Sequence, residues 1–393
     1  MAKAKTEASE DQSKEITQKQ ADKLIADLMD KDDHLTMASE VTSTYNRVMF
    51  PSPSLNYIYS GFLKGRIHRL HGPESGGKSS LAIYMAACCQ KAEKNPAKQY
   101  VFYFDFERTF DKDFAAKIGL DVSKTIICTD ACVEDQAIKF FKALPVLCCA
   151  IFDSDAAASS RSEFEDEIGK PSFGGLAKII GAFCRRANNL ISEYQVPLIM
   201  ISQERANTQP MGYLPSITGG YALRYFASTR CRVQRAGDIT DKDDVVGIDI
   251  KIKCYKNKTG IVGRSKTLHF YFKDGFHVDD DYFEAMFDSG IFHASSKKDP
   301  KTGTEKDGYF TNDQFDVQFY GRKKCIDWLN ENPDKYELLK QQVNERMTHA
   351  SYVASDDVDH SVMSDEDDEA ETTPVIESTT ESLAQQALEG DIE

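Results

Sequence analysis

Eight consecutive residues, Gly72-Pro73-Glu74-Ser75-Gly76-Gly77-Lys78-Ser79, constrain this chain more than any other stretch. They fit G-x-x-x-x-G-K-[ST], with a strand-like run, Ile67–Leu70, before them and a helix-forming run, Leu81–Lys94, after them. Glycines let a backbone close around phosphates, and successive N–H groups then point inward as an anion nest. The following helix adds the positive end of its dipole. In that context Lys78 is expected at the terminal phosphates and Ser79 at Mg²⁺, with Ser80 completing the phosphate-contacting set. The ligand implied is ATP with Mg²⁺.

A strand–loop–helix of this kind belongs to an α/β fold, and the rest of the sequence agrees. Strand-like runs recur at Tyr100–Phe104, Cys148–Phe152, Pro197–Ile201, Cys231–Gln234, Val246–Tyr255 and Leu268–Phe272, with helical runs such as Leu176–Tyr194 between several of them. Alternation of this sort predicts a mainly parallel central sheet with flanking helices. Two polar, glycine-containing stretches, Ser159–Gly175 and Glu204–Gly220, follow strand ends, where α/β proteins place ligand-binding loops. The expected organisation is an arm over 1–50, an ATPase core over 51–281, a small α/β module over 282–350 and an acidic tail over 351–393. The module reads as more helical than the core, with Lys323–Asn330 and Lys335–Arg346 as helices. In the arm, Ile16, Leu24, Ile25 and Leu28 are spaced loosely along one helical face.

Composition removes several function classes. No apolar run approaches the roughly 18 residues of a membrane span, and Met1–Glu15 lacks the apolar stretch of a signal peptide. The reading is a cytoplasmic chain without a membrane partner. Its ten cysteines include adjacent pairs, Cys88-Cys89 and Cys148-Cys149, inside apolar stretches, where cysteine acts as a small hydrophobe. Cys128 and Cys132 have no second pair to complete a zinc site, so reduced thiols are expected. The net charge of −15 is concentrated: Ser355–Glu393 carries −14, which leaves a near-neutral body able to bind nucleic acid. That tail reads either as a competitor with DNA for basic surface or as a solvated solubility segment.

Three further residues are candidates for chemistry. Cys148–Phe152 leads into Asp153, which beside a phosphate loop is better read as holding Mg²⁺ through water than as a helix cap. Glu107, just beyond the Tyr100–Phe104 strand, is either a solvated glutamate or the group that orients the attacking water. Gln203 ends the Leu198–Ser202 run and is equally a strand-end cap or an amide reporting the γ-phosphate.

Several segments, in the same order along the chain, resemble bacterial RecA recombinases. The loop Gly72–Ser79 includes the Pro-Glu-Ser of that family, and Asp105-Phe106-Glu107 followed by Phe110-Asp111 is similar to its catalytic-glutamate segment. Thr218-Gly219-Gly220-Tyr221-Ala222-Leu223-Arg224-Tyr225 resembles the segment that ends the second DNA loop and enters the subunit interface. Lys256-Asn257-Lys258 matches a lysine pair that reaches the neighbouring subunit's nucleotide, and Trp328–Pro333 looks like the family's C-terminal domain. The resemblance implies that Glu107 activates water, that Asp111, Phe114 and Phe272 lie at the adenine, and that Gln203 couples the γ-phosphate to the following loop. It implies that Lys256 and Lys258 act in trans, as arginine fingers do elsewhere, with Arg224 and Tyr225 at the same interface. Departures are Ser79 for the common Thr, Phe114 for Tyr, Arg224-Tyr225 for Lys-Phe and Tyr221 for Asn. They suit a divergent, phage-type member.

By the same resemblance, Glu163–Gly175 and Arg205–Gly220 stand for the two DNA loops. Arg205 with Arg185 and Arg186 would grip phosphates, Met211 and Tyr213 would insert among bases, and Gly219 and Gly220 would close the second loop. The implied function is an ATP-dependent recombinase in recombination, DNA repair and the SOS response. It would form a helical filament on single-stranded DNA and pair it with duplex, with a single-strand-binding protein and a loader as partners. The N-terminal arm would pack on the adjacent protomer, the vicinity of Val41–Ser43 adding a strand. A ring-forming helicase of the same fold and a non-catalytic scaffold are the alternatives.

Overall fold

The computed structural model describes residues 17–30, 35–40, 45–165, 175–205, 216–218, 220–298 and 305–353. The chain divides into two units, Met1–Tyr45 and Asn46–Glu393. In the first, α1 (Gln18–Met29) starts at a capping box, where Thr17 N donates to Gln20 Oε1 at 3.0 Å. No α1 residue is buried; Leu24, Ile25 and Leu28 are exposed. Ile16 and residues 41–44, where an added strand was expected, lie outside the described residues.

The second unit opens with β1 (Arg47–Val48), α2 (Pro53–Tyr59) and β2 (Phe62–Leu63), β1 pairing antiparallel with β2. Next come β3 (Ile67–Gly72), α3 (Lys78–Ala92), β4 (Tyr100–Asp105), α4 (Lys112–Ile118), β5 (Thr125–Cys128) and α5 (Val133–Ala143). These are followed by β6 (Leu147–Asp153), α6 (Arg161–Glu165), α7 (Gly175–Tyr194), β7 (Leu198–Arg205), β8 (Ser216–Ile217) and α8 (Gly220–Phe226). The core closes with β9 (Thr229–Asp241), β10 (Asp244–Asn257), β11 (Ser265–Tyr271) and β12 (Gly275–Phe276). A C-terminal module holds α9 (Val278–Asp288), β13 (His293–Lys298), β14 (Glu305–Asn312), β15 (Val317–Tyr320), α10 (Arg322–Glu331) and α11 (Pro333–Val353).

One large sheet runs β12-β11-β10-β9-β3-β7-β6-β4-β5, with β8 paired to β7 beside it. Neighbours from β9 to β5 are parallel, and β10, β11 and β12 continue antiparallel. Parallel strands are buried on both faces and so read as unbroken apolar runs; every residue of β6 is buried. One face packs Leu81 and Met85 of α3 against Ile151 and Ile199, and the other packs Phe140 and Phe183 against Phe104 and Phe152. The strands end in step: Gly72 is opposite Gln203, and Asp105 opposite Asp153. That common carboxyl edge is where open α/β sheets bind ligands.

Three expectations are corrected. The stretch Ser159–Gly175 is not one loop, because Ser160 and Glu163 form a capping box (Glu163 N to Ser160 Oγ 3.1 Å, Ser160 N to Glu163 Oε2 3.0 Å) that starts α6. Nor is Glu204–Gly220: β7 runs on to Arg205, paired with β8, and α8 begins at Gly220. The strand-like runs at Cys231–Gln234 and Val246–Tyr255 belong to a much longer hairpin, extended by polar residues held by cross-strand bonding. The C-terminal module, read as α/β and more helical, sets a small sheet beside α9, α10 and α11. Its sheet β13-β14-β15 pairs Phe310 with Phe319 and Tyr309 with Tyr320 across β14 and β15, over a core of Phe283, Met286, Phe292, Leu329 and Leu339. All ten cysteines are buried thiols without disulfides, and among the described residues no helix is long and apolar enough to cross a membrane.

A buried histidine makes this fold acid-sensitive. His68 on β3 is fully enclosed, its ring 4.0 Å from that of Phe62, its Nε2 2.8 Å from Leu63 O and its Nδ1 2.8 Å from Thr229 Oγ1. Burial lowers it to about 4. Between pH 6.5 and 4 the unfolded chain takes up a proton that the folded chain refuses, so stability is full above pH 6.5 and falls with acidification. The slope is about 1.4 kcal/mol per pH unit. Urea midpoints at pH 7 and pH 5 should therefore separate less in His68→Gln than in the parent; equal separations would contradict this assignment.

Candidate active site

Sequence places Gly-rich backbone between β3 and α3, and the structure shows why glycine is required at two of those positions. Gly72 has φ of 155°, and a Cβ there would lie 2.0 Å from Val233 O. Gly77, the N-cap of α3 at φ 86°, would put a Cβ 2.4 Å from Ile250 Cδ1. The loop is thus pinned between its own turn and the β9–β10 hairpin, with the first N–H groups of α3 facing a cleft of about 520 Å³.

Glu74, Ser75, Gly76, Gly77, Lys78, Ser79 and Ser80 line that cleft, and Glu107, Asp153, Gln203, Phe114 and Phe272 join them from other elements. Lys78 Nζ donates to Gly72 O at 3.1 Å and Pro73 O at 2.6 Å, so those two residues act through their carbonyls. Burial lowers the Lys78 ammonium, and the Asp153, Glu204, Glu107 and Glu74 carboxylates oppose that shift. Asp153 accepts from Tyr103 Oη at 2.7 Å and from the Ser79 hydroxyl. Its burial pushes the carboxyl up, against those two hydrogen bonds. One carboxylate and one hydroxyl are what a magnesium ion takes from such a protein, water and phosphate filling its other positions. The donor set fits.

Glu107 and Gln203 come from different strand ends and meet here. Glu107 Oε1 accepts from Ser154 Oγ at 2.6 Å and from Gln203 Nε2 at 3.1 Å. Phe114 and Phe272 flank Phe270 at 6.0 and 6.3 Å between ring centroids, an apolar wall of the size of a purine. Asp111 caps α4, its carboxylate accepting from Asp113 N at 2.8 Å and Phe114 N at 3.0 Å. It fixes the helix that carries Phe114. Ser154, Ile201, Ile248 and Phe270 line the cleft without having been singled out from sequence. Ser154 follows the metal-side aspartate directly and could have been noticed; Ile248 and Phe270 face each other across β10 and β11, a pairing no local pattern announces.

Lys256 and Lys258 lie elsewhere. Near its end β10 carries a bulge: Cys254 pairs with Cys231 and Lys256 with Arg230, leaving Tyr255 extra. Ile250, Ile252 and Cys254 are buried before the bulge, and Asn257 after it, so Lys256 is turned off the core face. Lys256 Nζ donates to the carbonyls of Arg224 (2.7 Å) and Tyr225 (3.2 Å) at the end of α8. Its burial, with Lys258, Arg230 and Arg224 nearby, lowers it to about 8. Tyr225 and Lys258 are exposed. Arg185 and Arg186 are exposed on α7, Arg186 lying 4.7 Å from the Phe141 ring. Gly220 starts α8 at φ 67°. Arg205 ends β7, while Met211, Tyr213 and Gly219 fall outside the described residues.

The root of the segment between β7 and α8 is closely held. Gln203 N donates to Thr218 Oγ1 at 3.0 Å and Thr218 N to Gln203 O at 3.1 Å. Next to Gln203, burial pushes the Glu204 carboxyl up, but His71 Nδ1 at 3.0 Å and two bonds of 2.9 Å from Arg232 hold it at about 2. A family model described as the RecA N-terminal domain matches residues 21–277, most of the chain and all of the elements that build this cleft. By its sheet, its phosphate loop and that match, the chain belongs to the RecA family of nucleotide-dependent ATPases.

Proposed function

We propose that this chain is a DNA recombinase that forms a filament on single-stranded DNA and uses ATP to pair it with a homologous duplex. The contact of Glu107 with Gln203 carries the reading. It joins the carboxylate best placed to take a proton from water to the residue from which the 204–217 segment departs. The triphosphate lies along Gly72–Ser79, with Lys78 against its terminal oxygens and the base against Phe114, Phe270 and Phe272. When bound to Ser79 and Asp153, Mg²⁺ supplies charge neutralisation for the phosphate oxygens. Glu107 uses Oε1 for Ser154 and Gln203, leaving Oε2 to receive the proton as water oxygen attacks the γ-phosphorus. The bond to the β–γ bridging oxygen breaks, and ADP and phosphate result. Gln203 registers the γ-phosphate by its amide and passes the change to the chain beyond it.

Lys256 and Lys258 are assigned to the next protomer's phosphates, which makes a filament with nucleotide between subunits the active form. Arg185, Arg186, Arg205 and the 206–217 segment are assigned to the DNA backbone and bases. Homology-independent grip with base pairing as the arbiter requires contacts of this sequence-neutral kind. Strand exchange between circular single-stranded DNA and linear duplex tests the whole. Joint molecules are expected only with homologous duplex and ATP. Closed rings on DNA by electron microscopy, or no hydrolysis with Mg²⁺ and single-stranded DNA, would overturn it.

A further inference from the structure

Beneath Gln203 lies a buried polar ring that the mechanism above does not use. Arg69, on β3 three residues before the phosphate loop, is 1% exposed, Asp155 is 1% exposed and Ser202 is fully buried. Arg69 Nε donates to Ser202 Oγ at 2.9 Å, and Ser202 Oγ donates to Asp155 Oδ2 at 2.5 Å. Asp155 Oδ1 accepts from Thr218 Oγ1, whose backbone carbonyl accepts from Arg69 Nη2, and the ring is closed. Thr218 Oγ1 also accepts from Gln203 N. A charged pair this deep is weak evidence for stability, since desolvating both ions costs about what their attraction returns. Such a network instead fixes one arrangement, because each member has its partners only in that geometry.

We propose that Arg69, Ser202, Asp155 and Thr218 form the positioning element that transmits the nucleotide state of the cleft to the 204–217 segment. This rests on the reading of Gln203 as nucleotide sensor. Thr218 is the point at which that segment is fastened, and three strand ends are tied to it. Arg69 belongs to the strand entering the phosphate loop, Ser202 to the strand carrying Gln203, and Asp155 lies two residues past Asp153. A displacement of Gln203 toward a γ-phosphate therefore moves the far root of the segment with the near one, as a unit. Without the Thr218 hydroxyl, the two roots would keep their β7–β8 backbone pairing but lose the tie to Asp155, and through it to Ser202 and Arg69.

The test is Thr218→Val, which removes the hydroxyl at nearly constant shape, with Thr218→Ser as rescue. Full-length protein is measured for affinity toward a fluorescent ATP analogue, and for affinity toward labelled single-stranded DNA with a non-hydrolysable ATP analogue and with ADP. For Thr218→Val, nucleotide affinity should stay within about twofold, while the ratio of the two DNA affinities falls toward one by roughly tenfold, the range of an ordinary allosteric coupling. Thr218→Ser should restore the ratio. An unchanged ratio in Thr218→Val overturns the proposal, as does a ratio not restored by serine. A parent protein whose DNA affinity ignores the nucleotide overturns the functional reading itself, and this element with it. If Thr218→Val does not fold, Ser202→Ala carries the same measurement with the same expected and contrary outcomes.

Discussion

Lys78→Ala should abolish ATP-dependent DNA binding and the proposed strand exchange. In the structure this ammonium is the positive charge set among Asp153, Glu204, Glu107 and Glu74. Removing it leaves those carboxylates facing a triphosphate. A unit pair about 4 Å apart near a protein surface is worth about 4 kcal/mol, so nucleotide affinity should drop by roughly a thousandfold. Lys78 also donates to the Gly72 and Pro73 carbonyls, and the variant loses that restraint on the loop. Circular dichroism melting separates the two effects: a fold that melts within a few degrees of the parent, with nucleotide binding gone, is the expected pair of results. Retained strand exchange would remove Lys78 from the site.

The second large effect is expected from Lys256→Ala combined with Lys258→Ala. ATP binding should remain within about threefold, because neither residue lines the chain's own cleft. DNA-stimulated hydrolysis should fall by on the order of 10³, the scale of a charge supplied in trans to a transferring phosphoryl group. Burial, with Lys258, Arg230 and Arg224 nearby, lowers Lys256 to about 8. Its proton is lost as pH rises through 8, so the parent's stimulated rate should fall on that limb while the Lys256→Ala single variant does not share the inflection. Lys256→Ala also loses the donor to two helix-end carbonyls, about 1 kcal/mol, which the Lys258→Ala variant does not. Normal stimulated turnover in the double variant refutes the trans assignment.

The sequence was most informative where one face of chemistry or burial governs a run of neighbours. Strands β4, β6 and β7 are buried on both sides and so appear as apolar runs, and the phosphate loop is contiguous. The edge strand β5 alternates exposure over four residues, and no run marks it. The first strand of the C-terminal sheet, His-Ala-Ser-Ser-Lys-Lys, is polar and has no apolar period at all. Its pairing with β14 makes it a strand. Asp111 shows a different limit. A carboxylate directly before a helical run has a local use as a cap, and only coordinates show that it is used so.

Tertiary meetings were the least legible. Glu107 and Gln203 are 96 residues apart and were suggested individually; their hydrogen bond depends on β4 and β7 ending at the same edge. Arg69 reads as one of several polar residues in a mixed strand, and Asp155 as a turn residue. Their common ring through Thr218 exists because β3, β6 and β7 are neighbours.

The bulge at Tyr255 makes the reach of Lys256 a matter of arithmetic. Strand side chains alternate, so a lysine an even number of places beyond Ile250 belongs on the inward side with Ile252 and Cys254. One surplus residue reverses that parity and sends Asn257 inward instead. Straightening the bulge with Tyr255 kept in the ladder would instead turn Lys256 to the inward side and Asn257 out. The register of these few residues, more than their number, decides which lysine meets the carbonyls at the end of α8.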